Sequence, residues 1–228
     1  YCGDGQVYDL VEGCDGSIGM AACTDFGFGG GMLACGSDCA FDVSGCTGNL
    51  NFSVNNLNLA IPDDGYNGTQ GSMACTSFDV LAPVTVGDVT VGLGITHSRV
   101  GHLVARVYAP DGSVATLFNR PGFFENDDLG TQTGAGDDSN FIASSPISFN
   151  LANMLNPENM GSTLGGNANV CADDGQCAFT SNDGAATDGG LTNLVGKPGL
   201  GTWSVCVGDA MPQNSGSLVS VSLGIVAQ

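Results

Sequence analysis

The sequence predicts an all-β fold, a β-sandwich or jelly roll preceded by a small disulfide-rich module. Three observations predict it. Strand-like apolar runs recur from residue 52 to the end of the chain, turns rich in Gly, Asp and Asn separate them, and six of the ten cysteines crowd into the first 46 residues.

The N-terminal cysteines are Cys2, Cys14, Cys23, Cys35, Cys39 and Cys46. A segment this short and glycine-rich cannot bury a core of its own, so cross-links must supply what burial cannot. Six cysteines here and four beyond allow three and two disulfides. Zinc is the competing reading, because Cys35 and Cys39 are four apart. The segment holds no histidine and its other cysteines lie 7 to 12 apart, so disulfides in an oxidising compartment are the expectation. The module is assigned residues 1–48 and the β-domain residues 49–228.

Strands are expected within residues 52–61, 74–96, 102–110, 113–119, 201–209 and 216–226. Leu103, Ala105 and Val107 share one face, and Val219, Val221 and Leu223 alternate with Leu218, Ser220 and Ser222. The runs PDDG, PDGS, RPG and NDG mark turns. No segment has sustained helical periodicity; residues 148–155 are the best helix candidate. Residues 120–198 form long, acidic, glycine-rich connections of a kind that something must order. Cys171 and Cys177 close a short loop there, which leaves Cys75 to pair with Cys206 and tie an early strand to a late one. That cross-link contributes about 3–5 kcal/mol.

The net charge is −19, with only Arg99, Arg106, Arg120 and Lys197 as basic side chains. Such a surface repels phosphate backbones and anionic lipid, which argues against a nucleic-acid partner and against membrane association. No apolar run is long enough to insert as a helix. Solubility explains the charge in part, and Ca²⁺ is the cation that carboxylate and carbonyl oxygens suit. The favoured calcium cluster is Asn126, Asp127, Asp128, Asp137 and Asp138, which flank a glycine-rich turn able to fold back. Asp63 and Asp64 are the second choice. The EF-hand pattern is absent, and adjacent loop acids are poor candidates for a glycosidase pair. The chain opens on Tyr1 without a signal peptide, which reads as a processed protein or a piece of a longer one.

Nothing assembles into a catalytic motif. His97, Ser98 and any acid make a triad only on paper, with no GxSxG elbow and no HExxH. A spacing of five places the rings of His97 and His102 on opposite faces of a strand. Trp203 reads as core. Tyr66, Tyr108, Phe123 and Phe124 are the aromatics available for a sugar-binding platform.

Two resemblances refine this reading. Residues 2–46, with CDG, FGFGGGMLAC and CAFDVSGC, resemble the short Cys-rich repeats of secreted bacterial surface proteins. The run ITHSRVGHLVARVYAPDGSVATLFNRPG at 95–122 is similar to the core signature of the P domain that accompanies subtilisin-like proteases. IPDDG at 61–65 and GTWSVCVGDAMPQNSGSLVSVSLGI at 201–225 resemble its opening and its end. The likeness spans about residues 50–228. It departs where His102 replaces the usual Asp, where Ser220 or Ser222 stands for a second Trp, and where residues 150–199 run long with an added cysteine pair. The resemblance implies a jelly-roll-like sandwich of eight or nine strands, acidic residues in the stretch of the calcium cluster, and no enzyme activity. It implies packing against a protease catalytic domain or another secreted protein. The alternatives are a structural or adhesive subunit of a cell-surface assembly, with self-association, and a carbohydrate-binding module.

Overall fold

A computed structural model describes residues 3–4, 6–7, 13–125, 129–182 and 189–228. Short strands come first: β1 (Gly30–Gly31), β2 (Ala34–Cys35), β3 (Phe41–Asp42) and β4 (Cys46–Thr47). The β-domain follows with β5 (Leu50–Val54), β6 (Leu59–Ile61), β7 (Ala74–Val80), β8 (Val86–His97), β9 (Leu103–Tyr108) and β10 (Val114–Asn119). It ends with β11 (Ile147–Phe149), β12 (Ala178–Phe179), β13 (Gly201–Asp209) and β14 (Gly216–Ala227). Among the described residues there is no α-helix, only short 3-10 turns. None is long and apolar enough to cross a membrane.

Two sheets make the sandwich. One runs β10-β9-β13-β7; the other runs β12-β11-β8-β14-β5, with β6 also on β14. The all-β expectation is met. Val89, Val91, Leu93 and Ile95 of β8 and Val221, Leu223 and Ile225 of β14 pack with Phe78, Leu117, Trp203, Val205 and Val207 in one apolar core. Trp203 is fully buried and its indole N–H donates to the Gly199 carbonyl at 2.8 Å.

Two local patterns differ from the sequence expectation. In β14 the ladder to β8 shifts register between Leu218 and Ser220, so Leu218 is buried together with Val221 and Leu223 rather than opposite them. A bulge adds one residue and resets the alternation. In β9 both faces are covered: Leu103 to Val107 are all buried. On the second face Tyr66 and Met73, from the chain between β6 and β7, cluster with Val104 of β9 and Cys206 of β13.

Residues 148–155, the helix candidate, are instead the end of β11 and a turn. The turn is closed by Asn150, whose Oδ1 accepts from the Ala152 N–H and whose Nδ2 donates to Asp88 and Thr90. Such local side-chain bonds compete with helix. The long connections are held on the sandwich by a file of rings. Phe141 and Phe118, Phe118 and Phe149, and Phe149 and Phe179 have centroids 5.9, 5.8 and 6.2 Å apart.

The described cysteines near the N-terminus are cross-linked rather than metal-bound. Cys14–Cys35 and Cys23–Cys46 are disulfides, and Cys39 is disulfide-bonded as well. Zinc is thereby excluded at Cys35 and Cys39. Cys23, Phe28, Leu33 and Val43 enter the same apolar cluster as the sandwich core, so this segment rests on β5 rather than standing apart. The Asn51 N–H donates to the Gly27 carbonyl at 3.3 Å across the joint. The other two expected disulfides, Cys75–Cys206 and Cys171–Cys177, are both present.

Candidate functional site

The polar residues that burial singles out lie at one end of the sandwich, where β8, β9, β10 and β13 meet the acidic loop. His97 closes β8, and a 3-10 turn, Val100–His102, leads into β9. That turn curls the backbone and brings His102 round to the side of His97. Their ring centroids are 6.5 Å apart. The expectation of opposite faces is therefore overturned: it assumed one continuous strand, and a turn intervenes.

Both rings face Asp209, the last residue of β13. His97 Nε2 is 3.0 Å from Asp209 Oδ2, and His102 Nδ1 is 3.9 Å from Oδ1. Asp209 is fully buried, and its Oδ1 also accepts from the Met211 N–H at 3.0 Å. Its carbonyl takes the Tyr66 N–H at 2.8 Å, and the His102 carbonyl takes the Ala210 N–H at 3.0 Å. Burial holds the His102 imidazole below its ordinary pKa, with Arg99, His97 and Arg120 acting the same way and Asp209 opposing.

Arg120 forms the second half of the site. It follows β10 in a left-handed conformation, φ 47°, and its N–H donates to the Leu103 carbonyl at 2.8 Å. Its guanidinium is fully buried and lies 4.3 Å above the Phe123 ring. Nη1 donates to Glu125 Oε1 at 2.8 Å and to the Gln132 carbonyl, Nη2 to the Gly134 carbonyl, and Nε to the Gly101 carbonyl at 3.4 Å. Glu125 Oε2 in turn accepts from the Gly130 N–H at 2.5 Å. One side chain thus ties the Gln132 and Gly134 carbonyls to the end of β10. A Cβ on Gly134 would fall 1.9 Å from the Phe123 ring, so this position has room only for glycine.

Of the calcium candidates, Asp137, Asp138, Asp63 and Asp64 are among the described residues. Asn126, Asp127 and Asp128 lie outside the described residues. Asp137 Oδ1 accepts from the Ser139 N–H at 2.9 Å and from the Ser139 hydroxyl. Its backbone joins Pro121 to Gly101. Asp138 is exposed beside Gly166, and Asp63 and Asp64 are exposed in a turn closed from the Gly65 N–H to the Pro62 carbonyl. Among the described residues, no three His, Cys, Asp or Glu side chains come together in a metal-holding group.

The triad drawn on paper is not assembled. His97 does meet a buried carboxylate, but its other nitrogen, Nδ1, lies 2.9 Å from the Arg99 carbonyl and 3.1 Å from the Arg99 N–H. Ser98 is exposed and donates to Asn214 Oδ1 at 2.9 Å. Neither ring nitrogen of His97 is free to activate a hydroxyl. The aromatic platform is not assembled either. Tyr66 is buried with its hydroxyl on the Leu129 carbonyl, the Tyr108 hydroxyl points at Met73 Sδ, and Phe123 lies under Arg120. Of the four aromatics only Phe124 is largely open, at 87% exposure.

Asp209 and Glu125, the two acids that matter most in this geometry, were not singled out by the sequence. The only signal was position: Asp209 ends the run GTWSVCVGD, and Glu125 lies five residues beyond the arginine of RPG.

The fold and this cluster define a disulfide-bonded all-β sandwich whose buried ionic residues brace a loop end. No family model matches the chain, and no curated protein matches it. Among solved structures, the serine protease of Aeromonas sobria is similar at 15% identity and a TM-score of 0.40, over 78% of this chain and 26% of that one. The complex of the A. sobria serine protease with a chaperone is similar at 16% identity and a TM-score of 0.40, over the same 78% and 26%. The chain spans about a quarter of the length of these protease chains. A likeness at this level carries no functional argument.

Proposed function

We propose that the chain is a non-catalytic extracellular accessory module, P-domain-like, that stabilises or positions a secreted partner, first of all a subtilisin-like catalytic domain. One observation carries this reading. Two polar residues inside the P-domain-like signature are buried and bonded: His97 to Asp209, and Arg120 to Glu125 and three carbonyls. They act as braces, and none is left facing solvent as a nucleophile with its base. The four disulfides with both partners described suit an oxidising, extracellular setting. Ca²⁺ on the acidic loop is part of the proposal, with Asp138 as its exposed contributor among the described residues.

The test uses the purified, oxidised chain. It is assayed alone for amide and ester hydrolysis, then mixed with a subtilisin-like catalytic domain whose thermal half-life is followed. The reading expects no turnover alone and a longer half-life for the catalytic domain. Turnover by the chain, abolished by His97→Ala, would sink it. A stable homo-oligomer without any effect on the protease would replace it with the assembly-subunit reading.

A further inference from the structure

We propose that His102 is an acid sensor: in mildly acidic surroundings its protonation releases the loop end of the sandwich while the sheets stay folded. The inference goes beyond the accessory role and does not depend on it.

The chain contains two histidines, and both converge on one carboxylate. They are not equivalent. Each ring nitrogen of His97 has a partner: Nε2 sits on Asp209, and Nδ1 lies between a backbone donor and a backbone acceptor of Arg99. His102 is placed differently. Its side chain is 6% exposed, and its Nδ1 is buried with no hydrogen-bond partner, 3.9 Å from a carboxylate oxygen that already serves Met211. A proton there gains no close acceptor.

The charged and titratable neighbours act against that proton on balance. Facing His102 are Asp209 from β13, His97 from β8, Arg99 from the turn and Arg120 from the end of β10. Asp209 attracts a protonated His102. Burial opposes it first and most strongly, and Arg99, His97 and Arg120 oppose it as well. The folded chain therefore holds His102 below its ordinary pKa. The linkage follows from that direction. The neutral ring favours the folded arrangement, and this contribution is fully present above the unfolded value of about 6.5. It is lost as the pH falls through the lower folded value.

The geometry directs the response to the loop. Gly101 precedes His102 and is wedged between the turn and the acidic stretch. Its N–H donates to the Asp137 carbonyl at 3.0 Å, and its carbonyl accepts from Arg120 Nε at 3.4 Å. A Cβ added to it would lie 2.3 Å from the Asp137 nitrogen. An outward shift of His102 thus pulls Gly101 off both Asp137 and Arg120, the two residues that seat residues 129–139. The strands below are joined by long ladders and an apolar core, so they need not follow.

Amide exchange followed by mass spectrometry at pH 7 and pH 5, corrected for intrinsic rates, tests this on the intact, oxidised chain. Peptides from 129–139 are expected to lose protection several-fold at pH 5, while β13 keeps its own. In His102→Gln, which is neutral throughout, the pH increment is expected to vanish. Equal increments in both chains would overturn the proposal. Proton NMR titration of the His102 ring in the natural sequence is the second measurement, and it stands even if the variant does not fold. A midpoint between about 5 and 6.5 supports the sensor; one at or above about 6.5 removes the driving force, and one well below about 5 leaves the ring neutral in mild acid and overturns the proposal as well.

Discussion

Arg120 and Glu125 form a buried ion pair across a loop of their own making, with Nη1 2.8 Å from Oε1 and both side chains fully buried. The carboxylate orients the guanidinium, and the guanidinium collects the carbonyls of Gln132 and Gly134. A planar fork with five donors can do this, and a lysine cannot.

Removing the arginine is therefore expected to be costly. Arg120→Met leaves Glu125 buried without its partner and several carbonyls without donors, for a loss of about 3–5 kcal/mol. Arg120→Lys restores charge but not the fork, and falls between the two. Urea denaturation of the three chains gives the order; a methionine variant as stable as the parent would contradict the brace.

The Cys75–Cys206 cross-link spans 131 residues and joins positions that already face each other in the β7–β13 ladder. Replacing both cysteines by Ala is expected to cost about 5 kcal/mol through the unfolded chain. Losing Cys171–Cys177, with a separation of 6, is expected to cost clearly less. Thermal midpoints of the two double variants decide.

Asp209→Asn keeps the shape of the site and removes the carboxylate between the two histidines. Stability at neutral pH is expected to fall by about 1.5–3 kcal/mol, the range for a hydrogen bond to a charged group. Because the proposed role is structural, any interaction with a partner protease should weaken only in step with the loss of folded protein. A disproportionate loss of binding would place Asp209 in a docking surface instead.

Phe149 and Phe124 form a contrasting pair. Phe149 is fully buried in the file of rings, and Phe124 is 87% exposed. Truncation to Ala is expected to cost about 3–5 kcal/mol at the first position. At the second it is expected to stay within about 0.5 kcal/mol. Chemical denaturation measures both.

Calcium on the acidic loop predicts a rise in Tm with added Ca²⁺ over EDTA at fixed ionic strength, because a ligand of the folded state stabilises it by mass action. Asp127→Asn combined with Asp138→Asn should abolish the rise. An unchanged Tm with no metal found by elemental analysis would remove the ion from the proposal, leaving Arg120 as the element that orders the loop.

Much of the fold was legible because periodicity and cysteine arithmetic are local or countable. The strands around Val91, Val107 and Val221 follow from apolar alternation, and Cys75 with Cys206 from even numbers and position. The reset at Ser220 was not legible, since a bulge leaves the composition of a strand unchanged. The site was less legible still. Its partners are 112 residues apart for His97 and Asp209, and no spacing rule reaches that far. The 3-10 turn that brings His102 beside His97 carries no signature beyond Gly101. Acidic density drew attention to Asp127 and Asp137, whereas the acids buried against basic side chains are Glu125, at the edge of that acidic run, and the distant Asp209.

The cross-link between β7 and β13 also has a mechanical consequence. A pulling force that enters the chain before Cys75 and leaves after Cys206 passes through the sulfur bridge and bypasses everything between. The 131-residue separation represents roughly 430 Å of contour length that cannot be paid out under tension. The acidic loop, its arginine brace and the histidine pair all lie within that span, apart from Asp209 just outside it. A module tethered at both ends would thus stretch outside the bridged span, at β5 and β6 and from Val207 through β14, and would shield its acidic loop and arginine brace from load.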